Sequence, residues 1–265
     1  MGVHNQRKEY GSMLVELGKK NPDIVVLEAD LGKSTMSCMF EEAFPDRYFE
    51  MGIAEQNMTS FAGGLALAGK VPFTNTFAVF ASGRAYDQIR QSIATAKLNV
   101  KIVGSSSGMS DFGDGATHQS IDDVAIMSAI PNMTVFTPCD GLEVRRAVEA
   151  AAQLEGPCYI RLCRNDLEDI FPADAAYRIG EPVVLREGTD VTVFTHGIMA
   201  HEALKAAATA EKEGISVSVV HIPTNKPLNE EALRTLTAAK KGVVDSEETS
   251  NRAAKNIQIT FALRR

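Results

Sequence analysis

The chain of 265 residues is 45% apolar and 23% charged, which excludes a disordered polymer and fits one large folded unit and a smaller one. A formal charge of -7, with no dense block of lysine and arginine, excludes a surface built to neutralise nucleic-acid phosphates. No apolar run reaches membrane-spanning length, and the stretch from Met1 to Lys20 lacks the hydrophobic core of a signal peptide, so a cytoplasmic protein with no membrane or nucleic-acid partner is expected.

In chain order, Tyr10, Met13, Leu14 and Leu17 repeat at helical spacing over 6–20, and Asn21-Pro22 ends that helix. Ile24-Val25-Val26-Leu27 is apolar without alternation, the pattern of a strand covered on both faces. The polar run from Glu28 to Ser34 then lies at its carboxyl end, the edge where open parallel sheets place ligands. Tyr48, Phe49, Met51 and Ile53 predict a short strand, and Met58, Phe61, Ala62 and Leu65 predict a helix face, so Glu55 falls at a strand-to-helix turn. There a glutamate either complements the positive end of the helix dipole or does chemistry, and the stretch alone does not choose.

Val71 to Phe77 predicts an extended segment, 82–96 a helix, and Val100 to Val103 a buried strand. The loop from Gly104 to Gly115 is rich in Gly, Ser and Asp, and so long a loop inside a compact domain points to function. A helix over 121–129, a strand over 133–136, a helix over 142–154 and a strand over 159–162 continue the alternation of an α/β fold with a doubly wound, mainly parallel sheet. After the connector Phe171-Pro172-Ala173-Asp174, strands at 191–194, 217–222 and 243–244 with helices at 199–212 and 230–236 give a second βαβ pattern. The expected units are 1–172 and 173–265, the second smaller and apparently incomplete: beyond Ser246 only Ile257, Ile259, Phe261 and Leu263 form a strand-like pattern. Cys38, Cys139, Cys158 and Cys163 contain no CxxC pair and read as reduced core thiols.

Six motifs occur in order: GIAEQNM at 52–58, TNTFAVF at 74–80, RAYDQ at 84–88, DGATHQ at 114–119, PNMTVFTP at 131–138 and IRLCRND at 160–166. With them the chain, from Arg7 to about Glu248, resembles the C-terminal subunit of a split transketolase. The resemblance implies a thiamine diphosphate-binding fold whose pyrimidine-binding domain lies here. A partner N-terminal subunit would then carry the diphosphate-binding domain and hold magnesium or calcium, in a heterotetramer built on a homodimer. The implied reaction moves a two-carbon glycolaldehyde unit from a ketose, or ketose phosphate, to an aldose through a carbanion of the cofactor.

Glu55 matches the family's glutamate on the aminopyrimidine, which displaces the helix-dipole alternative. Phe80 matches the ring that stacks on the pyrimidine, with Phe77 beside it and Asp30 near the cofactor. His118 matches the histidine that faces the reacting carbons, and Asp114 the reader of a substrate hydroxyl. Arg7, Ser34 and Arg164 match phosphate contacts of sugar-phosphate substrates, whereas Ser106 stands where the family has a phosphate-facing histidine, so phosphate affinity falls or a different acceptor is read. Gly113-Asp114-Gly115 imitates a metal motif but is embedded in GDGATHQ, so no metal is assigned to this chain.

The segment from Thr249 to Arg265 departs from the family's final turn and helix, and an uncovered sheet face is expected to seek a partner surface. Two alternatives share the glutamate or the departures: a β-subunit of a 2-oxo acid dehydrogenase or deoxyxylulose-phosphate-synthase-like enzyme, and a non-catalytic scaffold subunit. RAYDQ is common in the synthase, while DGATHQ with PNMTVFTP favours the transketolase.

Overall fold

The computed structural model describes residues 2–238 and 240–248; the strand pattern at Ile257 to Leu263 lies outside them. The chain enters through β1 (Val3–Asn5), whose last residue caps α1 (Gln6–Lys20) by accepting the Arg7 and Lys8 backbone N–H groups. β2 (Ile24–Glu28) is buried throughout, as its unbroken apolar run requires. Two short helices, α2 (Gly32–Thr35) and α3 (Cys38–Ala43), return the chain to β3 (Tyr48–Glu50), from which α4 (Glu55–Leu67) leads to β4 (Val71–Phe77).

The helix expected over 82–96 is present in altered form. It consists of a π-helical turn at Phe80–Arg84, then α5 (Tyr86–Gln88), then a second π-helical turn at Ile89–Ala94. Such turns widen the helix locally and collect at functional sites. There follow β5 (Lys101–Ser105), α6 (Asp123–Ala129), β6 (Thr134–Phe136), α7 (Gly141–Gln153), β7 (Cys158–Arg161) and β8 (Asp166–Glu168), the last pairing antiparallel with β1.

Further on lie β9 (Val183–Arg186), β10 (Val191–Thr195), α8 (Met199–Lys212), β11 (Val217–His221), β12 (Thr224–Lys226), α9 (Glu230–Thr237) and β13 (Gly242–Ser246). The large sheet has strand order β12-β6-β7-β5-β4-β2-β3 and is parallel except at β12; the small sheet runs β13-β10-β11-β9 and is parallel except at β9. Alternate residues of β2 feed two cores. Val25 and Leu27 meet Met58 and Ile89 on one face, and Ile24 and Val26 meet Leu14 and Val148 on the other. Each such side chain contributes about 1.5–3 kcal/mol by leaving water.

The division drawn at residue 172 is crossed, because β12 leaves the second stretch of chain and pairs with β6 of the large sheet. A buried polar tie reinforces that crossing: the Glu143 carboxylate in α7 accepts the Cys139 backbone N–H at 2.6 Å and lies 2.9 Å from His221 Nε2 at the end of β11. Among the described residues, an apolar hollow of about 490 Å³ lies against α8, β10 and β13, lined in part by Val193, Ala207 and Val244. No helix among the described residues is long and apolar enough to cross a membrane.

Glu28 closes β2 and is fully buried, yet its carboxylate accepts the Ala29 N–H at 3.0 Å and the Thr35 and Ser37 hydroxyls at 2.7 and 2.5 Å. Burial, outweighing those three bonds, pushes this carboxyl from the ordinary 4.5 to about 7. The unfolded chain then releases its proton first as pH rises, so Glu28 erodes stability progressively between pH 4.5 and 7. At ~1.4 kcal/mol per pH unit the loss is about 3 kcal/mol. Glu28→Gln is expected to flatten the decline of urea-unfolding stability across that window. An unaltered slope in the variant would remove Glu28 as its source.

Candidate active site

The carboxyl ends of β2 and β4, the start of α4 and the loop after β5 converge on one opening of about 490 Å³, lined among others by Asp30, Ile53, Glu55, Phe80, Arg84 and His118. Glu55 is the first residue of α4, and its side chain is only 1% exposed. Arg84 Nη1 donates to both carboxylate oxygens, at 2.8 and 3.0 Å. The same guanidinium lies over the Phe80 ring, 4.5 Å from its centroid, so the π-helical turn at Phe80–Arg84 brings an aromatic face and a cation to the opening together.

The Phe77 and Phe80 rings are stacked, 6.1 Å apart and inclined by 13°, and His118 meets both edge-on at 6.0 and 5.2 Å. His118 Nδ1 lies 2.9 Å from the Thr117 hydroxyl. Asp30 joins the rim in the left-handed backbone region, φ 61°, at the turn that the Glu28 hydrogen bonds secure. Two carboxyls, a guanidinium, an imidazole and an aromatic face thus surround a space suited to a flat heterocycle with a hydrogen-bonding ring nitrogen.

A second group gathers Arg7, Ser34, Arg164 and Asp114. Arg7 donates to the Ser34 backbone carbonyl at 2.8 Å and to the Arg164 carbonyl at 3.4 Å. Burial, and next the Arg164 charge, lower the Arg7 pKa. Arg164 Nη1 donates to Asp111 Oδ1 at 2.5 Å and to Asp114 Oδ2 at 3.3 Å. Asp111 is fully buried, and burial raises its carboxyl despite that partner. Asp114 and His118 flank the single helical turn at Gly115–Thr117, so one loop serves both groups.

Ser106, at the start of the loop after β5, is fully buried, with φ 52° and no hydrogen-bond partner for its hydroxyl among the described residues. Arg84 is the site residue that reading the sequence missed. Its motif RAYDQ was visible, but nothing in the spacing links it to Glu55, which lies across a helix and a strand.

Residues 4–169 match the transketolase pyrimidine-binding domain, and residues 180–262 match the transketolase C-terminal domain. A Methanocaldococcus jannaschii protein named for a transketolase C-terminal section is 44% identical over 252 residues, 94% of this chain and 79% of that protein. A 6-deoxy-6-sulfo-D-fructose transketolase subunit of a Clostridium species is 41% identical over 248 residues, 94% of this chain and 77% of that one. Human transketolase is 39% identical over 239 residues, covering 89% of this chain and 38% of the longer protein. A solved split-gene transketolase, described as an inactive β4 tetramer, superposes with a TM-score of 0.91 at 45% identity over 99% of this chain and 86% of that one. The chain therefore belongs to the transketolase family, whose members use thiamine diphosphate, as a subunit of the split type.

Proposed function

We propose that this chain supplies the pyrimidine-binding half of a thiamine diphosphate site and, with an N-terminal partner subunit, transfers a glycolaldehyde unit from a ketose to an aldose. The observation that carries the reading is the buried Glu55 carboxyl at the back of an opening flanked by Phe80 and His118. The residues fit the pyrimidine part of the cofactor: Phe80 offers a ring face, Glu55 a proton at a ring nitrogen, and Asp30 lies beside them. When bound, thiamine diphosphate supplies the nucleophilic carbon that takes up the two-carbon unit.

For Glu55 to reach a ring nitrogen, Arg84 yields at least one of the two oxygens it holds. His118 then holds or returns a proton at a substrate oxygen, and Asp114 accepts a bond from a substrate hydroxyl. Arg7, Ser34 and Arg164 grip an anionic terminus, and two guanidiniums suit a phosphate or a sulfonate alike. The name of the Clostridium relative supports including sulfonated ketoses among the donors. The diphosphate and a magnesium or calcium ion are assigned to the partner, in a heterotetramer built on a homodimer. The exposed apolar side chains of Ile53, Phe61 and Leu67, before and along the helix that begins at Glu55, support a subunit interface there. The inactive tetramer formed by the split-gene relative's β chains supports dependence on a second subunit.

The isolated chain is expected to show no tight thiamine diphosphate binding by calorimetry, and addition of the N-terminal subunit to create it. Micromolar binding by this chain alone would refute the divided site. In the reconstituted complex, Glu55→Ala is expected to slow proton exchange at the thiazolium carbon by about 10²-fold or more, with the melting temperature little changed because Arg84 is left half-exposed in water. Wild-type exchange in that variant would take Glu55 out of the chemistry. His118→Ala is expected to lower kcat by about 10²-fold while the exchange rate stays near wild type; a parallel fall in both would place His118 in cofactor binding instead.

A further inference from the structure

The loop that carries Asp114 and His118 is held from two sides. Gly108 donates its N–H to the Ser120 carbonyl at 2.8 Å, closing the loop on itself. The next N–H, that of Met109, donates at 2.8 Å to the carboxylate of Glu248, which follows β13 of the small sheet. Arg161 in β7 donates to the other Glu248 oxygen at 3.4 Å and to Asp123 in α6 at 3.0 Å, and Asp123 also accepts the Tyr159 hydroxyl at 2.8 Å. The side chains of Glu248, Arg161 and Asp123 are at most 4% exposed. Gly108 makes room for this arrangement: a Cβ there would lie 2.2 Å from the Glu248 carboxyl carbon.

A carboxylate that deep keeps its place only if its bonds are specific, and here one of them is to the loop backbone. We propose that Glu248 is a positioning residue through which the second βαβ unit fixes the loop presenting His118 and Asp114. The small sheet lends no side chain to the opening, but it determines the conformation in which the loop's side chains meet it. The catalytic consequence rests on the site reading above; the contact itself does not.

Hydrogen–deuterium exchange on the full chain tests the contact without any activity. Glu248→Ala is expected to speed exchange of amides 107–120 by about tenfold or more, while amides of β10 and β11 stay within about twofold of wild type. Glu248→Gln keeps an acceptor for Met109 N–H, folds if the alanine variant does not, and is expected to show the same regional pattern with a smaller rise. Loop exchange within about twofold of wild type in the alanine variant, or a rise as large in β10 and β11 as in the loop in either variant, overturns the proposal. In the reconstituted complex, kcat is expected to fall about tenfold or more in Glu248→Ala and to recover partly in Glu248→Gln, with the thiamine diphosphate Kd unchanged. A loosened loop with wild-type kcat would overturn the positioning role, whereas a complex inactive even with the wild-type chain would count against the site reading alone.

Discussion

A carboxyl 1% exposed must be compensated, and the hydrogen bonds Glu55 accepts come from Arg84. The rest of the opening is arranged around that necessity. Arg84 packs over Phe80, Phe80 stacks beside Phe77, and His118 stands edge-on to both rings. The pair is asymmetric, because the arginine is 45% exposed and keeps much of its hydration. Solvent screening therefore weakens the Coulombic attraction well below that of a fully buried pair, and a ligand that hydrogen-bonds Glu55 can replace part of it at modest cost.

Topology decides why these groups meet. Parallel strands all end on one edge, so the turn after β2, the π-helical turn after β4 and the loop after β5 are neighbours although they lie far apart in sequence. Beneath the first of these, Glu28 binds a backbone N–H and two hydroxyls and thereby shapes the segment from which Asp30 and Ser34 project. Burial opposes its ionisation and the hydrogen bonds favour it, so a turn of the site is built on a group poised near neutrality.

Long apolar periods were legible in the sequence: α1, α8 and β2 lie where spacing placed them. What escaped were elements too short or too polar to show a period. β1, β8 and β12 have three residues each, and β12 reads Thr-Asn-Lys, so nothing announced that it would join the large sheet. The two π-helical turns were hidden because a widened turn keeps nearly the same apolar pattern as an α-helix. Glu55 and His118 were singled out by the company of their motifs, since one acid at a helix start and one histidine after a polar loop carry little information alone. The burial of Ser106 was equally out of reach, because a motif gives a position along the chain while burial depends on how the loop folds.

The group proposed to hold the anionic terminus of a substrate sets equal numbers of opposite charges against one another. Two guanidiniums, Arg7 and Arg164, face two carboxyls, Asp111 and Asp114, and both acids are bonded to Arg164. A dianion approaching this group therefore gains less than it would from two free arginines, unless one acid gives way. Asp111 is the fixed member, fully buried at 2.5 Å, while Asp114 is half-exposed at 3.3 Å. A ligand hydroxyl that draws Asp114 toward itself also bares one side of Arg164 to the ligand's terminal anion. Under the proposed function, recognition of a sugar hydroxyl and of a charged terminus would in this way be coupled through a single weak ion pair, which favours a ligand carrying both groups over one carrying either alone.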